Sequence, residues 1–176
     1  MTTLTINRVR ALLTAATKAR ILVLGDVMLD HFIWGSVSRI SPEAPVPVVD
    51  FSRESYMPGG AANVARNVAA LGAKPEIFGI VGMDGNAGRD WGARQLDMLL
   101  RQEKVNCDGL VTNRFRPTTL KTRVVAGRQQ IVRIDREVRA EINADTAAKL
   151  ISAMSKRVKS CDGVIVGDYG KGLIQQ

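Results

Sequence analysis

Residues Ile21 to Gly25 (ILVLG) form an unbroken apolar run that closes on glycine and then on acid. Such a run suits a strand buried on both faces of a parallel sheet, since a half-exposed strand alternates apolar with polar residues. Parallel strands need long crossover connections, so the chain must supply helices between them. Helices are expected over Ala61 to Leu71, ended by Gly72, over Arg89 to Glu103, and over Ala144 to Lys159 with Asn143 as N-cap. Strands Ile77 to Val81 and Val164 to Val166 interleave with them. The order predicts an α/β domain with a mostly parallel central sheet flanked by helices.

Two further segments read as strands off that sheet. Val46 to Phe51 and Thr119 to Asp135 are rich in alternating or β-branched residues, with Pro42, Pro45 and Pro47 marking an edge and Gly127 a turn. Ahead of the sheet, Thr5 to Arg20 is interrupted by Arg8, Arg10 and Lys18 and reads as an amphipathic helix, not a signal peptide. No run reaches the roughly 18 to 20 apolar residues of a membrane span. At the other end, Leu173 to Gln176 read as the start of another helix. A parallel unit so half written points to a piece of a longer protein, with one uncovered sheet face and an open edge.

The net charge of +8 is concentrated: Arg114, Arg116, Lys121, Arg123, Arg128, Arg133, Arg136 and Arg139 face only Asp135 and Glu137 between positions 114 and 139. That cluster is either the solvated face of a hairpin or a surface turned toward an anion. Nucleic-acid binding ranks last, because neither aromatic platforms nor a recognition helix accompany the charge. Cys107 and Cys161 form no Cys-x-x-Cys pair and His31 is the single histidine, so neither a disulfide framework nor a metal site is expected and a reducing cytoplasm fits.

Asp26 and Asp30 follow the first strand, at the sheet edge where open α/β folds bind ligands; alternatively Asp26 caps a turn. Gly59 and Gly60 open a helix in which Asn63 stands one turn along. Glycines admit close approach, free N–H groups of a first turn favour oxygen-rich ligands, and an amide both donates to and accepts from sugar hydroxyls. Tight helix packing explains a glycine pair equally well. His31 reads as a packing or surface residue, Asp84 to Gly88 as a plain turn, and Trp34 and Trp91 as core or lid contacts.

The spacing Gly59-Gly60-x-x-Asn63-x-Ala65, continuing to Gly72 and Gly82, resembles the first signature of ribokinase-like carbohydrate kinases. GDVMLD (Gly25 to Asp30), SRISPEAPVPVV (Ser38 to Val49) and DYGKG (Asp168 to Gly172) are similar to the kinase domain of heptose-7-phosphate kinases, across roughly Ile21 to Leu173. With the amphipathic stretch taken as a helix over residues 1–20, the resemblance implies a partial kinase domain over 21–176 and a small β lid over about 33–57 and 116–138. It implies that Asp30, Gly59, Gly60 and Asn63 bind the sugar, that Asp168 or Lys171 closes the acceptor pocket, and that Lys121, Arg123, Arg128 or Arg133 meets a substrate phosphate. The implied reaction is ATP- and Mg2+-dependent phosphorylation of D-glycero-D-manno-heptose 7-phosphate at its anomeric hydroxyl, serving ADP-heptose and lipopolysaccharide core synthesis. A lid-mediated homodimer and a fused or separate adenylyltransferase are further implications.

One family element is missing. The Gly-Ala-Gly-Asp-like anion hole, whose aspartate is the catalytic base, occurs nowhere in these residues, so the base is expected beyond Gln176 and the chain alone is expected to be inactive. The alternatives are a non-catalytic sugar-phosphate-binding remnant and another sugar kinase of the same family.

Overall fold

A computed structural model of the chain describes residues 4–85 and 88–174. The elements run α1 (Ile6–Ala16), β1 (Arg20–Gly25), β2 (Val27–Ile40), β3 (Pro47–Gly60), α2 (Ala61–Ala70), β4 (Lys74–Gly82), α3 (Trp91–Gln102), β5 (Asn106–Asn113), β6 (Thr119–Ala126), β7 (Gln129–Arg136), α4 (Ala144–Val158) and β8 (Gly163–Gly167). Among the described residues no helix is long and apolar enough to cross a membrane.

Four strands form a parallel sheet in the order β5-β4-β1-β8. Its two faces explain the unbroken apolar run. Val23 packs with Ala61, Ala62 and Ala65 of α2 and with Leu96 and Leu100 of α3, whereas the adjacent Leu22 packs with Phe78 and with Leu150 of α4. Successive side chains of β1 thus serve opposite cores, and each fully buried residue such as Phe78 or Leu96 contributes roughly 1.5–3 kcal/mol. The edge strand β8 lacks such cover: Val164, Ile165 and Val166 remain 43%, 38% and 56% exposed. Helix α1 starts at an N-cap, Thr5, but buries none of its residues.

A second sheet, β3-β2-β6-β7, grows from the C-terminal edge of the first, with only Asp26 between β1 and β2. Strand β2 runs antiparallel to β3 and parallel to β6, and β6 and β7 form a hairpin.

The structure departs from the sequence expectations at several points. Strand β5 and the first part of β2, before position 33, lie outside the segments expected as strands or lid, and β3 extends beyond Phe51 to Gly60. Strand β2 mixes Asp30, His31, Ser36 and Arg39 among apolar residues because neither of its faces is wholly core. The sequence of β5, NCDGLVTN, has little β preference, and its pairing with β4 is what holds it extended. Gly59 and Gly60 end a strand, and Gly60 is the N-cap of α2. Leu173 and Ile174 lie in a bend and not in a helix; Gln175 and Gln176 lie outside the described residues. In the 84–88 turn the Asp84 N–H donates to the Gly88 carbonyl at 2.9 Å, with Asn86 and Ala87 outside the described residues.

Candidate functional site

Register places the polar residues of the second sheet on one face. Asp30 pairs with Lys121 and Lys121 with Asp135; two residues along, Phe32 pairs with Arg123 and Arg123 with Arg133. Partners across strands point the same way, as do residues two apart, so these six side chains share a face. It carries a chain of ion pairs. Arg123 donates from Nη1 to Asp30 Oδ1 at 2.6 Å, and its guanidinium lies 5.2 Å from the Phe32 ring centroid. Lys121 Nζ lies 2.9 Å from Asp135 Oδ2, which Arg133 also contacts at 3.1 Å.

Gly59 and Gly60 are required by how closely β3 approaches β2. A Cβ on Gly59 would overlap Asp30 Oδ2 and sit 2.9 Å from Met28 Cγ. Gly60 has φ +55°, a conformation that L side chains rarely adopt, and its Cβ would overlap the Asp26 carbonyl. The glycine pair therefore lets the Asp30 carboxylate stand beside the start of α2. No side chain caps that helix, and the half-buried Asn63 is its third residue. Free first-turn N–H groups favour oxygen ligands there.

Asp26 takes the structural option of its two readings. Buried, it accepts at Oδ2 from the N–H groups of Tyr169 (2.8 Å) and Lys171 (3.1 Å), and its carbonyl accepts from the Ala61 N–H at 3.0 Å. One residue thus ties β1, α2 and the loop after β8 together. Arg116 donates to the Lys171 carbonyl at 3.0 Å and also bonds the Ala140 carbonyl. Burial pushes the Arg116 guanidinium below its ordinary pKa, against the charge of Asp26.

Lys171 itself is 8% exposed, and its ammonium reaches across the crevice to Glu137 Oε2 at 2.8 Å. Lys121 Nζ approaches the same oxygen at 3.4 Å, while Arg139 donates to Oε1 at 2.6 Å. Burial alone would raise the Glu137 pKa; hydrogen bonds from Lys171 and Arg139 and the charge of Lys121 overrule it and bring it down to about 2. Glu137 and Asp135, read from sequence only as acids offsetting a basic run, are the organising groups of the crevice. The one available signal was that these two acids punctuate a run of arginines.

Ion pairs, register and close approach bring Asp30, Gly59, Lys121, Arg123, Arg133 and Lys171 into one polar cluster, while two expected residues lie apart from it. Asp168 is exposed and accepts from the Gly170 N–H at 2.9 Å, capping its own loop. Arg128 sits in the β6–β7 turn, two residues past the end of β6 at Ala126, which is itself five residues, or roughly 17 Å at strand rise, from Lys121. On the opposite face of the second sheet, His31 bonds Glu54 at 2.8 Å, lies 3.2 Å from Thr122 Oγ1 and stacks on Tyr56, a packing role. A cavity of about 420 Å³ opens on that other face, lined by Leu120, Arg136, Trp91 and Phe115 among others. Its floor is built by Asp90, which caps α3 and accepts from both the N–H and the hydroxyl of Thr118.

The model of the pfkB family carbohydrate kinases matches residues 18–160. The chain belongs to that family. It is 47% identical over 168 residues to the bifunctional protein HldE of Hyphomonas neptunium, covering 96% of this chain and 33% of that protein. It is 42% identical over 155 residues to the bifunctional protein HldE of Helicobacter pylori, covering 88% and 32%. The chain thus spans about a third of the length of these curated relatives. Among solved structures, a carbohydrate kinase from Agrobacterium tumefaciens superposes with a TM-score of 0.61 at 21% identity, covering 84% of this chain and 45% of that one. A microbiome-derived acarbose kinase gives 0.61 at 20% identity, covering 85% and 45%. The fold is ribokinase-like, an α/β unit with a parallel sheet flanked by helices.

Proposed function

We propose that this pfkB-family chain carries the sugar-phosphate-binding part of a kinase that phosphorylates D-glycero-D-manno-heptose 7-phosphate at its anomeric hydroxyl. The observation that carries the reading is one polar cluster, in which Asp30 stands beside Gly59 and the start of α2 while Lys121 and Lys171 converge on Glu137 one strand away. An ionised carboxylate accepts from sugar hydroxyls, the amide of Asn63 both donates and accepts, and ammonium groups meet a phosphate. Arg123 pairs with Asp30 and orients it. In this proposal the second sheet is the lid over the sugar, Gly60 shapes the strand-to-helix turn, and Asp168 and Arg133 lie at the periphery. Arg128 reaches the phosphate only if the hairpin tip folds over.

ATP supplies the phosphoryl group and Mg2+ offsets its charge in such a reaction. Among the described residues no group of three or more histidines, cysteines or carboxylates is placed to hold a metal ion, and the sequence lacks the Gly-Ala-Gly-Asp-like segment. In this proposal the chain's own part is to bind and orient the sugar phosphate, without turnover by itself. The whole protein would act in the cytoplasm in ADP-heptose and lipopolysaccharide core synthesis, together with a fused or separate adenylyltransferase. A homodimer through lid strands belongs to the same proposal, supported by exposed Phe51, Val132 and Ile134 on the second sheet.

The test is ATP consumption by the full-length parent with heptose 7-phosphate, ribose and fructose compared side by side. Consumption with the heptose phosphate alone supports the reading. Consumption only with ribose or fructose leaves the family standing and removes the substrate.

A further inference from the structure

The convergence of two lysines on one carboxylate is not required by the fold. Lys121 belongs to β6 of the second sheet and Lys171 to the loop after β8 of the first, and their side chains are only 12% and 10% exposed. Each ammonium is nearly desolvated, a state that is costly unless an anion accompanies it. Glu137 supplies that anion: its side chain is 8% exposed, and Oε2 lies 2.8 Å from Lys171 and 3.4 Å from Lys121. The two lysines differ in what remains if Glu137 leaves. Lys121 keeps Asp135 at 2.9 Å, whereas Lys171 has no other carboxylate partner among the described residues.

Glu137 is also placed to leave. It lies just past the end of β7, in the 137–143 segment that has no regular secondary structure, while Asp135 is fixed by its register opposite Lys121. Asp30 is the cross-strand neighbour of Lys121, about 4.8 Å away at strand spacing, so Lys121 joins the Glu137 carboxylate to the strand pair that carries Asp30.

We propose that Glu137 is a built-in competitor for the substrate's phosphate: it fills the anion subsite formed by Lys121 and Lys171, and a phosphate monoester binds by displacing it. This rests on the sugar-phosphate reading above and adds a source of specificity to it. A phosphate near neutral pH carries up to two negative charges and three acceptor oxygens, against one charge on Glu137, so it can outcompete the carboxylate. A neutral sugar cannot. The occupied subsite lowers the apparent affinity for every anion by the fraction of molecules in which Glu137 has withdrawn. A permanent structural pin on Lys171 would behave in the opposite way, since its removal would only loosen the site.

The experiment titrates inorganic phosphate and heptose 7-phosphate separately into the wild-type chain, Glu137→Gln and the double variant Glu137→Gln/Lys171→Met, by calorimetry in chloride buffer. Glu137→Gln should bind inorganic phosphate roughly tenfold more tightly than wild type, and the double variant should lose that gain. Equal or weaker phosphate binding by a folded Glu137→Gln overturns the proposal. If that variant folds in neither chloride nor phosphate, Glu137→Asp takes its place; its shorter reach should give a smaller tightening, and an unchanged affinity is again the contrary result. Heptose 7-phosphate separates the two levels. Should it bind none of the proteins while inorganic phosphate still tells them apart, the substrate reading fails and the role of Glu137 stands. Should it bind wild type and Glu137→Gln equally, the role of Glu137 fails and the substrate reading stands.

Discussion

The contact between Gly59 and Asp30 shows how one missing side chain sets up the site, because any Cβ at position 59 overlaps the Asp30 carboxylate. Gly59→Ala is expected to push that carboxylate off Arg123 and abolish sugar-phosphate binding, with circular dichroism unchanged and a stability loss of roughly 1–3 kcal/mol. Acid titration probes a second group. Glu137 is depressed from 4.5 to about 2 in the fold. Asp135 is lowered by the hydrogen bond and charge of Lys121 and by Arg133, against burial; at Asp97 burial would raise the pKa, but Arg101 and Arg89 lower it. A carboxylate with a depressed folded pKa adds stability that is complete above its unfolded pKa and disappears as pH falls through the folded one. Stability in urea should therefore fall as pH drops from about 4.5 toward 2, and Glu137→Gln should flatten that fall. A slope identical to wild type would mean that Glu137 is not ionised in the buried cluster.

The helices show what local chemistry can announce. Asn143 was readable as an N-cap, and in the structure its side chain accepts from the Thr146 N–H at 3.0 Å. Asn143→Ala should cost ~1 kcal/mol in urea unfolding, with the folded α4 otherwise intact. The expected helix over 61–71 ends one residue early, with Gly72 at φ +88° just beyond it, as a left-handed C-terminal position requires. Strands were harder. β1 declared itself because both its faces are core, but β2 carries Asp30 and Lys121's neighbours on one face and His31 on the other, so no period of two in hydrophobicity survives. A different cause hid Glu137, which joins the polar cluster only when the segment after β7 meets the loop after β8, a contact 34 positions apart in sequence that no local pattern encodes. Motif resemblance singles out Asp30, Gly59, Lys171 and Asp168; the structure places the first three in the polar cluster, whereas the Asp168 side chain caps its own loop.

Across the molecule, the parallel sheet is well covered where α2, α3 and α4 pack and bare along β8. Val164 and Val166 point to the same face, so Val164→Thr/Val166→Thr should lower the fluorescence of a bound apolar dye while leaving the thermal midpoint within a few degrees. Undiminished dye binding would locate the exposed apolar surface elsewhere, for instance on α1, where Leu12 and Leu13 are exposed. The two sheets meet at Asp26, and the crevice between them is where the ion pairs of Asp30, Lys121, Glu137 and Lys171 are gathered. That this crevice holds a sugar phosphate is tested most directly by calorimetric titration of D-glycero-D-manno-heptose 7-phosphate into the wild-type chain and into Asp30→Asn. A single site on wild type, weakened roughly tenfold or more in Asp30→Asn as expected for losing a hydrogen bond to a charged acceptor, is the predicted result. Absence of binding to wild type, or equal binding to both proteins, would contradict it.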